Sequence, residues 1–567
     1  MRPRCMTSPS VKRPWASALH TLWPWLAAVL SGILQALCLA PWNQGWLCWL
    51  ALTPLLCAVW FSPIQTARRQ AALGYVTGLV FFTATFYWLS SLGTLFGEFW
   101  LKGIPLALAL YLGLYFAFWG WFMGQICAGR PADFARSTRN IFTGLLGAAA
   151  WVAQEWIRSW LFSGFGWNGL GVALHAELAM IQIVDLTGLW GLSFLVAYCN
   201  VMAVIIVRRL IAEMGPVFLK RVRWEFSLTM ALVAAVFSYG VRALLPGRHP
   251  AQATTKIKIA AIQPNIPQTE KFSPESEDRV LAQLETLTAL AATAKPDLLL
   301  WPESATPRGM YADERNYQFV IKQVASEDFA LLIGTIDSDD KTHESFNTAT
   351  LLTAHGKDIQ SYRKMHLVPF GEYMPLRQSF PLFAMIAGEL VPSDFTPGRD
   401  FTVLDLHSPP LKFAALVCFE DSLGDLTRRF VCNGAEILVN LTNDGWFLET
   451  AGAQQHFDNA IFRAVENRRP LVRCTNTGIT ASVEPSGRID RWLAPFQQGF
   501  AVRELSVPQN SPQNTPQKNQ TFYTRHGDWL PHLCAGLTAL VLSGLAARAL
   551  KRNGAPEKPD DNAPALP

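Results

Sequence analysis

The chain has 567 residues, half of them apolar and 16% charged, with a mean hydropathy of +0.18. That is long enough for several domains and too apolar for an ordinary soluble protein, which points to a membrane protein. The net charge of +5 is small for the length, and the basic residues fall in short clusters between apolar runs, so a nucleic-acid face is not expected.

A helical span of the hydrocarbon core needs about 20 apolar residues. Eight runs qualify, at about 20–40, 44–61, 71–91, 104–126, 141–160, 180–207, 226–245 and 529–549. The first two are joined by the short, proline-containing "LAPWNQGW". A signal peptide is the competing reading of the first run, but no clear small-residue cleavage site follows it, so it is read as retained. Positive loops stay cytoplasmic. Arg2, Arg4, Lys12 and Arg13 precede the first span, Arg68 and Arg69 follow the second, and Arg130, Arg136 and Arg139 follow the fourth. Arg208, Arg209, Lys220, Arg221 and Arg223 follow the sixth, and Arg548, Lys551 and Arg552 close the eighth. The alternation places both termini inside and residues 246–528 outside the cytoplasm. The loop "LFSGFGWNGLGVALH", 161–175, falls on the same outer side, as an interfacial or re-entrant segment or as an ordinary tight connection.

The large outer region reads as α/β. Short β-rich runs, "IKIAAIQPN", "DLLLWPES", "ALLIGTID", "TATLLT", "FAALVCFE", "EILVNLTND", "PLVRCTNTG" and "TASVEPSG", alternate with helical stretches near 275–294, 311–327 and 452–468. Apolar strands ending in polar residues fit a sheet buried on both faces, with ligand sites beyond the strand ends. Residues 506–520, "SVPQNSPQNTPQKNQ", lack an apolar period and read as a flexible tether. The expected organisation is a membrane domain of seven spans over 1–245, an outer domain over 246–505, a tether over 506–528, an eighth span over 529–549 and a cytoplasmic tail over 550–567.

Three strand ends carry reactive groups: Glu303 in "LLLWPESATP", Lys364 in "SYRKMHLVPFGEY" and Cys418 in "FAALVCFEDS". A nucleophilic thiol needs a base for its proton, a cation beside the thiolate and the developing oxyanion, and an N–H aimed at that oxyanion. Glu303, Lys364 and Cys418 offer the base, the cation and the thiol, and the Phe419 N–H offers the fourth role. By chemistry alone the bland alternatives stand: a packed cysteine, a helix-capping glutamate and a solvated lysine. The outer region holds three cysteines, Cys418, Cys432 and Cys474, an odd number that excludes a complete disulfide framework. Without a C-x-x-C or a His pair at ligand spacing, neither a metal nor another cofactor is expected. Cys432 and Cys474 read as two free thiols.

The segments "IQPNIPQTEKF", "WPESATP", "YRKMHLVPFGEYMP", "VCFED" and "LTNDGWF", in that order, resemble the nitrilase or carbon-nitrogen hydrolase superfamily. With eight spans and the domain between the seventh and eighth, the whole chain resembles the bacterial apolipoprotein N-acyltransferases. That resemblance implies a polytopic α-helical membrane protein carrying a nitrilase-like αββα sandwich, in the bacterial inner membrane with the catalytic domain on the periplasmic side. It implies Cys418 as nucleophile, Glu303 as general base and Lys364 as the stabiliser of tetrahedral intermediates. Glu372 matches a supporting acid, Glu420 a further acid past the nucleophile, and Asn347, Asn443 and Trp446 match positions lining the site. Phe419 stands where a tyrosine often follows the nucleophile, and Phe272 where a tryptophan can occur, so both lose a polar handle.

The implied partners are the lipid bilayer, a phospholipid acyl donor, typically phosphatidylethanolamine giving its sn-1 chain, and a diacylated apolipoprotein acceptor. A membrane-tethered amidase of the nitrilase type is the alternative. A thioester must be shielded from water. The apolar loops 381–392, with Phe383 and Met385, and 444–452 are the candidate shields, the first as a mobile lid.

Overall fold

The computed structural model describes residues 14–128, 136–212, 218–246, 254–311, 313–325, 327–339, 341–375, 377, 394–509 and 520–553. The expected lid 381–392, with Phe383 and Met385, lies outside the described residues, as do residues 510–519 of the expected tether and residues 554–567, while the end of the expected tether carries a short helix, Phe522–His526.

The N-terminal half is helical because its apolar runs have no polar face to offer water. Phe99–Cys127, Trp190–Ala212, Arg223–Leu244 and Trp529–Lys551 are long and apolar enough to cross a membrane. Ala67–Thr85 with Tyr87–Leu95, bent by 58°, makes a fifth if the pair is one span. Other expected spans take a different form. The run 44–61 is broken into a 3-10 turn, Gly45–Trp49, and a nine-residue helix, Thr53–Phe61, with proline at its start. Residues 141–160 fall in a continuous helix, Ser137–Arg158, that buries Asn140, Gln154, Glu155 and Arg158. The run 180–207 opens with two single turns, Leu178–Ile181 and Val184–Thr187, before the helix from Trp190. Gly188 makes that break: it has φ +63°, and a Cβ there would lie 2.5 Å from the Tyr523 ring.

The α/β domain holds twelve strands among the described residues: β1 Thr254–Gln263, β2 Leu298–Leu300, β3 Ala330–Asp339, β4 Glu344–Leu352, β5 Ile359–Arg363, β6 Val403–His407, β7 Pro410–Val417, β8 Ile437–Thr442, β9 Leu471–Thr475, β10 Thr480–Val483, β11 Ile489–Leu493 and β12 Gly499–Pro508. They form two six-stranded sheets, ordered β12-β1-β2-β3-β4-β5 and β11-β10-β9-β8-β7-β6. In each, three central strands run parallel: β1, β2 and β3 in one, β7, β8 and β9 in the other. β5, β6, β11 and β12, which fall outside the apolar runs read from the sequence, are the four edge strands. An edge strand is half exposed and needs no continuous apolar run, so it leaves little signal. β12 pairs with β1 along ten registers and reaches Pro508, three residues into the stretch expected as tether.

The sheets face each other through Ile257, Ile259, Ala261, Phe413, Ala415 and Val417. Helices Glu277–Ala292 and Glu314–Val324 cover the outer face of the first sheet. Gly424–Cys432 and Gly452–Asn467 cover the second, which completes the expected αββα layering. Gly452–Asn467 is buried along its length except at Gln454, because its far side meets the membrane domain. The seam is polar and paired. Gln455 donates to the carbonyls of Ala40 and Thr85 and accepts from Trp88 Nε1 and Asn168 Nδ2. Asn459 pairs with Asn168, and Arg468 with Asp185 at 2.6 Å.

Replacing Gln455 by leucine strands all four partners in a dry seam. The expected cost is at least about 2 kcal/mol, since each unsatisfied buried group costs about 1–3 kcal/mol. It is measured as a lowered thermal midpoint of the purified full-length protein in detergent.

Candidate active site

Glu303 lies three residues beyond β2, at a turn held by the Trp301 N–H to Leu332 O (2.9 Å) and the Ala305 N–H to Gly334 O (2.8 Å). Ser304 takes φ +46°, and a Cβ on Gly334 would sit 2.4 Å from Glu303 Cα, so the turn needs glycine on the neighbouring strand. The carboxylate is fully engaged: Oε1 accepts from Asn347 Nδ2 at 2.8 Å and Oε2 from the Asn443 N–H at 2.9 Å. Lys364 follows β5, its N–H donating to Asn347 O at 2.8 Å. Its ammonium is 1% exposed, 2.7 Å from Glu372 Oε2 and 3.7 Å from Glu303 Oε1. Burial pushes its pKa down, but Glu372, then Glu303, with Cys418 and Glu420, outweigh burial and hold it above the ordinary lysine value. Asn347 joins the acids, its Nδ2 also donating to Glu372 Oε1 at 2.7 Å, while the Val368 N–H donates to Glu372 Oε2 at 2.8 Å.

Cys418 follows β7, at a sharp turn of the backbone. The strand ends at Val417, Cys418 takes φ +52°, and Cys418–Ser422 is a 3-10 turn. Burial pushes the thiol pKa up and Glu303 adds to this, while Lys364 opposes both. The resting group is therefore a thiol that needs a base. Glu420, fully buried, hydrogen-bonds none of the site's side-chain cations. Its Oε1 accepts from Tyr362 Oη (2.8 Å) and from the N–H groups of Met365 (2.8 Å) and His366 (3.1 Å), and its Oε2 from the Val417 N–H (2.9 Å). It staples the nucleophile turn to the segment after Lys364. Phe419 is buried and stacks on Phe165, Trp167 and His366 at 6.4, 5.7 and 5.6 Å between centroids.

Asp421 does not cap the next helix. That helix, Gly424–Cys432, has Leu423 at its N-cap, and Asp421 is drawn into a buried charge cluster. Arg473 contacts Asp421 and lies 3.3 Å from Asp444. His456 Nδ1 is 2.8 Å from Asp444 Oδ1, and its Nε2 makes a charge contact, rather than an aligned hydrogen bond, with Asp421 Oδ1 at 3.0 Å. All four side chains are fully buried. The cluster pins Asp444–Phe447, so the first four residues of the second expected shield form an anchored 3-10 turn.

Asn443 holds Glu303 through its main chain, while its side chain donates to Gln268 Oε1 at 2.7 Å. Trp446 is half buried and stacks on Phe96 of the membrane domain at 6.2 Å. Phe272 is 46% exposed. The structure thus gathers Glu303, Lys364, Cys418, Glu372, Asn347, Asn443 and Glu420, and leaves Phe272 and Trp446 toward the periphery. Sequence reasoning missed Lys271, Tyr362 and the Asp421–Arg473–Asp444–His456 cluster. Lys271 and Tyr362 lay within quoted motifs, but the cluster draws on four separated segments. Among the described residues no group of three or more His, Cys, Asp or Glu side chains is placed to hold a metal ion. Cys432 and Cys474 are both free thiols, the first exposed and the second buried. A cavity of about 930 Å³ opens between the membrane helices and the segment after Lys364, lined among others by Trp156, Trp190, His366, Tyr373, Arg428 and Tyr523.

Residues 31–202 match the apolipoprotein N-acyltransferase N-terminal domain, and residues 258–508 match the carbon-nitrogen hydrolase family. The apolipoprotein N-acyltransferase of Geobacter metallireducens is 34% identical, over 93% of this chain and 95% of its own. The chain belongs to the apolipoprotein N-acyltransferase family. Another member, from Rickettsia bellii, is 31% identical over 86% of this chain and 93% of its own. Among solved structures, Saccharomyces cerevisiae Nit3, of branch 10 of the nitrilase superfamily, is similar over 49% of this chain and 96% of its own, at 19% identity and a TM-score of 0.35. An amidase from Nesterenkonia is similar at 20% identity and a TM-score of 0.34.

Burial pushes His456 down, but Asp421 and Asp444, against Arg473, carry its pKa up to about 9 from an ordinary 6.5. The proton held in the folded state therefore stabilises fully below pH 6.5, and the gain is lost as the pH rises through about 9, on the order of 3 kcal/mol. Replacing His456 by glutamine is expected to flatten this alkaline loss, read from melting temperatures across that window.

Proposed function

We propose that the protein N-acylates lipoproteins by a two-step exchange at Cys418. The single observation that carries this reading is the convergence of a thiol, an engaged carboxylate and a buried ammonium on a chain that aligns with named apolipoprotein N-acyltransferases over 93% of its length.

In the first step Glu303 takes the Cys418 proton as Sγ attacks the ester carbonyl of a phospholipid, typically the sn-1 ester of phosphatidylethanolamine. Lys364 faces the oxyanion. The C–O bond breaks, the glyceryl oxygen takes the proton from Glu303, and a lysophospholipid leaves a thioester. In the second step the α-amino group of an S-diacylglyceryl-cysteine attacks the thioester. Glu303 takes an amine proton and passes it to the departing sulfur, so acid and base alternate on one carboxylate. Glu372 and Asn347 orient Lys364 and Glu303, and Glu420 fixes the nucleophile turn.

The membrane reading belongs to the same proposal: eight spans, both termini cytoplasmic, and residues 246–505 on the periplasmic side of the bacterial inner membrane. Lipid-anchored donor and acceptor give such helices a purpose that a soluble amide would not. The large cavity beside the segment after Lys364, rimmed by Trp156 and Trp190, offers room for a lipid at the level where interfacial tryptophans sit.

Purified protein given labelled phospholipid is expected to gain one acyl mass on Cys418, an adduct absent in Cys418→Ala and slowed roughly 100-fold or more in Glu303→Gln. Adding a diacylated lipopeptide should discharge the adduct into a triacylated product. Free fatty acid as the sole product would instead mark a hydrolase, and no adduct under any lipid condition would end the mechanism.

A further inference from the structure

The exchange uses Glu303, Lys364 and Cys418, yet it leaves one buried cation of the site without a task. Lys271 is 1% exposed. Its N–H donates to Pro267 O at 3.1 Å, closing the turn that precedes it, and its Nζ donates to the main-chain carbonyl of Glu303 at 2.8 Å. Among the described residues that is the ammonium's one hydrogen bond, and no carboxylate stands within ion-pair distance of it.

This differs in kind from Lys364. That ammonium is neutralised in the resting site by Glu372 at 2.7 Å and Glu303 at 3.7 Å. Lys271 approaches Glu303 from the main-chain side and meets a carbonyl instead. Holding a carbonyl requires only a neutral donor, which an amide supplies. Burying an ammonium without a counter-ion costs several kcal/mol. Burial accordingly pushes Lys271 down to about 8, with Glu303 and then Cys418 drawing it back up. These two are the titratable groups that act on it, and Cys418 in turn is acted on by Glu303, Lys364 and Asp444. The resting state therefore carries a positive charge that its surroundings only partly offset. As the thiol proton passes to Glu303 that carboxylate becomes neutral, and the negative charge facing Lys271 moves to Cys418, as a thiolate or as the tetrahedral oxyanion bonded to it.

We propose that Lys271 is a second positioning cation of the acyl-transfer site, fixing the Glu303 turn through its carbonyl and balancing the anion that develops at Cys418. The two lysines then bracket the base, one on its carboxylate and one on its main chain. Lys271 keeps its proton throughout, because the thiol proton travels to Glu303 and on to the departing glyceryl oxygen. The inference rests on the reading that Cys418 accepts the acyl chain.

The test is single-turnover thioester formation on Cys418 of the full-length enzyme with phosphatidylethanolamine, read by mass spectrometry from about pH 6 to pH 10. Lys271→Gln keeps a neutral donor for the carbonyl and removes the charge. It is expected to slow thioester formation roughly 10- to 100-fold and to abolish the alkaline decline that the wild type shows as Lys271 loses its proton near pH 8. Lys271→Arg keeps a charge that does not titrate, and should restore most of the rate and carry it to higher pH. A glutamine variant with the wild-type rate and profile overturns the proposal. So does an arginine variant that folds with an unchanged melting temperature yet is as slow as the glutamine one. A wild type that forms no thioester at all would instead remove the acyl-transfer reading beneath it.

Discussion

The site is organised by the burial of the Lys364 ammonium. Taking a cation out of water costs several kcal/mol, and an interior tolerates it only when acids stand close and are themselves satisfied. Glu372 and Glu303 supply the charge, but two carboxylates facing one lysine would repel each other and leave acceptor sites empty. The Asn347 amide bridges them, and the N–H groups of Val368 and Asn443 fill the oxygens that remain. One buried charge thus fixes the relative positions of the turn after β2, the middle of β4, the segment after β5 and the end of β8. Glu303 is oriented because the cation must be compensated.

The turn at Cys418 obeys a second constraint. In a strand, the side chains of Cys418 and Phe419 would simply alternate between faces. The left-handed residue at Cys418 breaks that alternation and turns the backbone, a conformation a non-glycine residue holds only when its surroundings impose it. Glu420 does the imposing, gripping the N–H groups on both sides of the site: Val417 just before the thiol, and Met365 and His366 just after the lysine. Of the two acids next to Cys418, Glu420 therefore acts on the backbone around the thiol and Asp421 on the Arg473–His456 cluster. The thiol is held protonated by burial and by Glu303.

What the sequence made legible follows from what each feature needs from its neighbours. Central strands are buried on both faces, so "FAALV" and "EILVN" announce themselves, while the edge strands β5, β6, β11 and β12 carry exposed polar residues and do not. Glu303, Lys364 and Cys418 were readable because each ends an element within a short, distinctive motif. The role of Asp421 was not readable because its partners, Arg473 and His456, lie 52 and 35 positions further on, and no local pattern links them. Lys271 stood in plain view beside Phe272, but a lysine in a polar turn reads as solvated until burial and the Glu303 carbonyl are seen. The apolar run 44–61 is continuous by composition, and its division by Leu50–Leu52 and the proline at the head of Thr53–Phe61 into two helical pieces is visible only in the structure.

The two halves of the chain are joined in a way that makes the apolar helices part of the geometry around Cys418. A flexible attachment would leave the outer domain's helices free on one side. Instead Gly452–Asn467 is enclosed between the second sheet and the membrane helices, and its polar residues find partners only in one alignment: Gln455 with Ala40, Thr85, Trp88 and Asn168, Asn459 with Asn168, and Arg468 with Asp185. Sliding the domains would strand several buried groups at once, each at about 1–3 kcal/mol. The same loop that supplies Asn168 supplies Phe165 and Trp167, whose rings stack on Phe419, the residue directly after the nucleophile. Trp167 also packs on His456, whose charge cluster holds Asp421 at the other end of that turn. The turn presenting the thiol is therefore shaped by sheet, acid and membrane loop together, and its height relative to the membrane helices is set by the packing that orients its reactive atom.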